Sequence, residues 1–345
     1  MKFTTLLHTI SFSIVLIFAL FACNQNRQQT AGDTESTDTE ILEIRAAHNM
    51  EDGDEEHLFQ LSSEEIPSGW TTLRFVNSTH TDHFFMLYIV PESGIQAAEE
   101  AGQSLVDHWH ANIIAPFQRE WNPYIAGDIS WKEFVDNLFA AVLAGAPWFP
   151  DVLPAGGPGI TSAGEISETV IKLEPGTYIA ECYVKDKAQE FHSYNGMLAE
   201  LTVTQTSSGN PEPDPTLDIA LNKPENGALQ VPEDIPSGEQ MVAIHYQDQS
   251  QYEHLVGHNA QLVRFDNGYD DELLEELNAW MDWTTEAGMT YRAPEGTKFL
   301  GGAMQMQSGN TAYFSVDFKP GEYAWIAEVP DPAAKGMLHI FSVTE

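Results

Sequence analysis

Basic residues are scarce in this chain: lysine and arginine together number 15 against 52 aspartates and glutamates, for a formal net charge of −37 over 345 residues. A field of that sign repels phosphate backbones, so nucleic acid is excluded as an expected partner. Solvation of a soluble surface accounts for most of the acidity. Cysteine is scarcer still, with two in all, Cys23 and Cys182. No intrachain disulfide is then expected, because Cys23 falls at the end of an N-terminal signal and leaves Cys182 alone. A lone thiol in an exported protein survives by being buried or by binding a metal. Also missing are a phosphate-binding glycine loop, a Ser-His-Asp order with its supporting motifs, and any carboxylate pair that stands out from so many acids.

The N-terminus, MKFTTLLHTISFSIVLIFALFAC, has one lysine and an apolar run too short and wrongly flanked for a stable spanning helix. Leu20, Ala22 and Cys23 resemble a bacterial lipoprotein signal, with Phe21 bulkier than that pattern usually takes. The resemblance implies a signal peptide over residues 1–22 and lipidation of Cys23; an ordinary secretory signal cut nearby is the alternative. Acyl chains contribute about 0.8 kcal/mol per buried methylene, enough together to hold a protein at a membrane. Residues 23–39 are polar and acidic and read as a disordered tether.

The remaining chain divides at QTSSGNPEPDPT, residues 205–216, a linker with nothing apolar to bury. The flanking parts, residues 40–204 and 217–345, resemble each other. Each opens on Ile-Pro-Ser-Gly, at Ile66–Gly69 and Ile235–Gly238, followed by alternating apolar residues that predict a strand. Residues 156–178 and 301–323 match without a gap: Gly156, Gly157, Gly164, Pro175, Gly176 and Tyr178 fall on Gly301, Gly302, Gly309, Pro320, Gly321 and Tyr323. Each part ends in Gly-Met and a short strand. Two copies of one mostly antiparallel β domain follow. Both carry a helical insert expected to pack as a lid or spacer. In the first, Ser130 and Glu133 predict a capping box ahead of Trp131, Phe134, Val135, Leu138, Phe139 and Val142; in the second, Leu273, Leu274, Leu277, Trp280 and Met281 follow Asp270 and Asp271.

In the first copy the Pro-Gly-x-Tyr strand leads into Cys182, then His192, then Met197 and a closing strand. That order resembles the cupredoxin family, in which the last loop of a β-sandwich supplies Cys, His and Met, and an earlier strand supplies another His. The resemblance implies two tandem cupredoxin-like Greek-key β-sandwiches, mainly β, and a copper ion in the first held by His83, Cys182 and His192 with Met197 axial. A thiolate, two imidazoles and a weak thioether suit both copper oxidation states, so an electron moves with little rearrangement. His83 is favoured over His80 because it directly precedes an apolar run. The loop is longer than in plastocyanin-like relatives, and Phe84 stands where the family often has an asparagine. In the second copy Cys182 falls on Ala327 and His192 on Pro332, and only Met337 survives beside His254 and His258. That copy is expected to be metal-free.

His108-Trp109-His110 resembles one motif of multicopper oxidases, which also need several such pairs and a His-Cys-His. The preceding residues predict helix, which sends the two histidines to different sides, and they read as surface residues. The chain is thus expected to be a lipid-anchored protein of the bacterial cell envelope, periplasmic or surface-exposed, that transfers electrons or holds copper, with a redox or envelope protein as partner. The competing class is a metal-free, non-catalytic binding module. An oxidase or reductase that pairs this copper with a second site at His108 and His110 ranks third.

Overall fold

Alternation explains the strands. Along the third of them Thr71, Leu73, Phe75 and Asn77 are buried while Thr72, Arg74 and Val76 are half-exposed, the period-2 signature of a sheet with one face on a core. The computed structural model describes residues 41–51 and 54–345. The signal peptide, the lipidation site at Cys23 and the tether over residues 23–39 lie outside the described residues.

The first copy runs β1 (Ile41–Glu51), β2 (Asp54–Leu61), β3 (Glu65–Asn77), β4 (Met86–Ile89), α1 (Glu92–Ala101), α2 (Leu105–Trp109), α3 (Ala115–Ile125), α4 (Trp131–Gly145), β5 (Leu153–Gly156), β6 (Ile166–Leu173), β7 (Gly176–Glu181) and β8 (Leu198–Ser207). The second runs β9 (Leu217–Leu221), β10 (Leu229–Gln230), β11 (Gly238–Tyr246), β12 (Ala260–Phe265), α5 (Asp271–Trp280), β13 (Thr297–Ala303), β14 (Thr311–Phe318), β15 (Gly321–Ile326) and β16 (Leu338–Val343). In the first, β2-β1-β3-β6 make one layer and β8-β7-β4-β5 the other, with the start of β3 crossing over to pair with β8. In the second, β10-β9-β11-β14 stand opposite β16-β15-β12-β13. Both are two-layered β-sandwiches, with β1 parallel to β3 and β9 parallel to β11.

Antiparallel pairing of β6 with β14, through Val170↔Tyr313 and Thr169↔Phe314, joins the two copies into one continuous sheet. β8 extends into the expected linker as far as Ser207, which pairs with Ser68 of β3; residues 208–216 form neither strand nor helix.

The helical insert of the first copy comprises α1–α4 with a π-helical turn, His110–Ile114, between α2 and α3. The Ser130–Glu133 capping box is present, and α4 buries Phe134, Leu138 and Val142, one face at four-residue spacing. α5 starts behind Asp270, whose side chain accepts from the backbone N–H of Leu273. The first insert reaches the second copy. Trp121 and Phe117 of α3 lie 5.7 and 5.4 Å, ring to ring, from Trp283 just beyond α5. Among the described residues no helix is long and apolar enough to cross a membrane.

His108 departs from its sequence reading. It is helical as expected, but buried rather than on the surface: α2 turns it inward, stacked 6.1 Å from Trp148, with Nδ1 3.0 Å from Gln103 Oε1. His110 is partly exposed and its Nε2 meets the carbonyl of Tyr194 at 3.0 Å, bracing the loop that follows β7.

Candidate metal centre

β7 ends one residue before Cys182, and the chain then loops out and returns to β8 at Leu198. Backbone hydrogen bonds fold that loop on itself. His192 N–H donates to Val184 O at 2.8 Å, Ser193 N–H to Cys182 O at 2.8 Å, and Met197 N–H to His192 O at 2.9 Å. From the opposite side His83, three residues ahead of β4, forms a bridge with Thr161: its N–H donates to Thr161 O at 3.2 Å, and Thr161 N–H returns to its carbonyl at 2.7 Å. Asn77 steadies the same corner by donating from Nδ2 to the carbonyls of Thr81 and Thr161, both at 2.8 Å.

These two strand ends bring three donor atoms into one triangle. Cys182 Sγ lies 3.6 Å from His83 Nδ1 and 3.8 Å from His192 Nδ1, and the two nitrogens are 3.1 Å apart. All three residues have no exposed surface. For atoms at those separations the equidistant point is ~2.0 Å from each, against about 2.0–2.1 Å for imidazole and about 2.3 Å for thiolate bonds to a zinc-sized ion. The donor set therefore fits a single first-row metal. Met197 is also fully buried, and its carbonyl accepts from Cys182 N–H at 3.4 Å, so its backbone stands between the two loop donors.

Burial holds all three side chains in their uncharged forms. Burial, first, and the surrounding imidazoles, second, hold His83 and His192 well below the ordinary histidine value, so both imidazoles are neutral at pH 7. Burial pushes the Cys182 thiol up to about 12, opposed by the backbone N–H groups of Phe84 and Val184. A metal held at Cys182 would take the place of that proton. His192 Nε2 is buried with no hydrogen-bond partner, leaving Nδ1 as the nitrogen turned to the triangle.

Two further histidines stand over the triangle, and the sequence reading passed over both. His48 of β1 and His57 of β2 are direct cross-strand partners in the first hairpin. The His57 ring stacks on His192 with centroids 4.0 Å apart, and His57 N–H donates to Asn195 O at 3.1 Å. The available signal was a histidine on each side of Asp52-Gly53, a hairpin-turn dipeptide. His80 lies outside the triangle and packs its ring 4.7 Å from His48.

The second copy lacks this chemistry. The pairing Met86↔Glu181 corresponds to Gln261↔Ile326, which sets His258 in the place of His83. His258 is spent on local bonds, with Nε2 2.6 Å from Asp248 O and Nδ1 3.2 Å from the Tyr252 hydroxyl. Asn259, in the place of Phe84, exchanges bonds with Glu328: its Nδ2 donates to Glu328 Oε2 at 3.1 Å and its Oδ1 accepts from Glu328 N–H at 2.9 Å.

A cavity of about 430 Å³ lies where the first insert meets both copies, lined by apolar groups including Trp109, Phe117 and Trp283. Glu181, Tyr183, Phe191 and Ser193, the immediate neighbours of Cys182 and His192, also line it. Burial raises the Glu181 carboxyl to about 7, so it carries its proton for much of the neutral range.

No known protein family and no curated protein matches the chain. Among solved structures it is similar to a copper nitrite reductase from Nitrosomonas europaea, 9% identical over 89% of this chain and 94% of that one, at a TM-score of 0.22. It is also similar to a blue copper oxidase from the same organism, at 12%, 88%, 84% and 0.22, and to auracyanin A, a "blue" copper protein from Chloroflexus aurantiacus, at 18%, 48%, 98% and 0.24. At those TM-scores the likeness carries no argument, and function rests on the side-chain geometry.

Proposed function

We propose that His83, Cys182 and His192 hold one copper ion, with Met197 as the weak axial ligand, and that the protein transfers electrons or holds copper. The observation that carries this reading is the buried Cys182–His83–His192 triangle, whose sides of 3.6, 3.8 and 3.1 Å suit a single ion. A soft thiolate beside two imidazoles favours copper over harder cations. When bound, copper supplies a one-electron redox couple. The chain's own residues contribute a fixed donor set, neutral imidazoles, and a hairpin and loop that exclude water from the sulfur. Lipid anchoring at Cys23 and residence at the bacterial cell envelope belong to the same reading and rest on the signal sequence. So does an expected redox or envelope protein partner, with no role for nucleic acid.

The test uses the chain without its signal peptide, with both copies, because β6 and β14 are paired. On addition of Cu(II) the apoprotein should develop an intense visible thiolate-to-copper band at one equivalent, and Cys182→Ser should abolish it. A colourless protein with a freely titrating thiol would overturn the copper reading. The competing reading, a metal-free binding module, is favoured by the 430 Å³ cavity, which is large enough for a small apolar ligand.

A further inference from the structure

The buried triangle has no solvent-facing donor of its own, and the histidines around it are ordered by depth. His80 is exposed, His48 half-buried and His57 3% exposed, while His83, Cys182 and His192 have no exposure at all. Neighbouring rings along that line are close: 4.7 Å from His80 to His48, 4.5 Å from His48 to His57, and 4.0 Å from His57 to His192. Within it, one donor atom from each of His48, His57 and His83 lies within 4.8 Å of the others, a second set able to hold a cation, and His83 is common to both sets.

From this arrangement we infer an outer, all-imidazole cation site at His48, His57 and His83 that receives a copper ion from solvent and passes it to the inner triangle. The outer-site half stands on the histidine geometry alone; the transfer half rests on the copper reading of Cys182. Because His83 serves both sets, the ion need never be without a ligand as it moves. It leaves the imidazoles of His48 and His57, keeps His83, and gains His192 and the Cys182 sulfur. The thiol proton passes to bulk water and no electron is transferred. The hairpin that carries His48 and His57 thus shields the inner site and supplies its first ligands. The chain's formal charge of −37 raises the concentration of cations around the protein as a whole.

Two measurements separate the halves. Cys182→Ala, titrated with Cu(II), should bind one ion with a nitrogen-only paramagnetic resonance signal and no thiolate band. Adding His48→Ala and His57→Ala to that background should weaken this binding at least about tenfold. Equal affinity in the two proteins would overturn the outer site. In the chain that keeps Cys182, His48→Ala alone should slow the appearance of the thiolate band at least about tenfold in stopped flow. An unchanged rate would overturn the transfer. His48→Gln, which keeps a polar side chain on the half-buried strand, should show the same slowing, so a folding defect of the alanine variant leaves the test intact. If the starting chain shows no band while Cys182→Ala still binds through His48 and His57, the outer site stands and the copper reading and transfer both fail.

Discussion

His57 lies nearly flat against His192, ring centroids 4.0 Å apart and planes 20° from parallel, and through that contact the first hairpin packs on the His192 corner of the buried triangle. His57 Nδ1 is buried without a hydrogen-bond partner, so in the metal-free protein the ring acts at this nitrogen through packing alone. His57→Phe preserves the stack and strands no polar group, and should leave stability within about 1 kcal/mol of the parent. His57→Ala leaves a gap over His192 and should cost about 2 kcal/mol. Denaturant midpoints of the two apoprotein variants decide it; equal losses would mean that the contact is incidental.

A second consequence concerns pH. Glu328 has no exposure, and its Oε2 accepts from the Tyr183 hydroxyl at 2.9 Å and from Asn259. Burial raises its carboxyl from 4.5 to about 8. A carboxyl raised in the fold gives its full contribution below the unfolded value of about 4.5 and loses it as pH climbs toward 8, because the unfolded chain releases the proton first. Stability attributable to Glu328 should therefore fall across that window. Glu328→Gln does not titrate, so its stability relative to the parent should rise between pH 5 and 8 by up to about 4 kcal/mol. Paired urea melts at the two pH values measure this, and a difference independent of pH would place the ionisation elsewhere.

How much of this was legible in sequence depends on how local the signal was. Cys182, His192 and Met197 sit in one loop between two strands, and the resemblance of their order to the cupredoxin loop suggested a shared site. His83 could be chosen over His80 because an apolar run follows it. The repeat was legible because matched glycines and Pro-Gly turns mark backbone positions, and the matched strands β6 and β14, and β7 and β15, share their lengths. His48 and His57 carried only a weak signal, since their role comes from parallel pairing of β1 with β3, which sets the hairpin over a loop far along the chain. His108 was misread because helical periodicity gives a residue's face but not whether another element, here the one carrying Trp148, covers that face. The hydrogen bond from Tyr183 to Glu328 links the two copies through side chains that no local pattern pairs.

Lys185 is a further tie between the copies. Fully buried, it donates from Nζ to the carbonyls of Trp283 and Thr285 at 2.8 and 2.5 Å and lies 4.6 Å over the Trp121 ring. Lys185→Met keeps the length and apolar stem but leaves two carbonyls without this donor. A cost of about 2 kcal/mol is expected from stranding them. The same variant should raise hydrogen exchange around Met289, whose carbonyl accepts from Lys185 N–H, because the second-copy loop loses its anchor. Unchanged stability would show that the carbonyls find other donors.

The repeat makes its own test at Gly157 and Gly302. Their φ values are +129° and +131°, a region that side chains rarely adopt. A Cβ on Gly157 would stand 2.0 Å from Phe85 O, and one on Gly302 would stand 2.1 Å from Ala260 O. In each copy the glycine lets its backbone pass against the carbonyl of a neighbouring segment, just ahead of β4 in the first and at the start of β12 in the second. Neither backbone atom can swing away as a flexible side chain would, so strain and clash add. Gly157→Ala and Gly302→Ala should each cost at least about 3 kcal/mol. Gly164 also has a positive φ, +81°, but open space around it, so Gly164→Ala should cost only about 1 kcal/mol. Thermal melts of the three variants separate the close approach from the backbone term: if Gly164→Ala were as damaging as the other two, φ alone would account for the conserved spacing of the two copies, and the carbonyl contact would have no part in it.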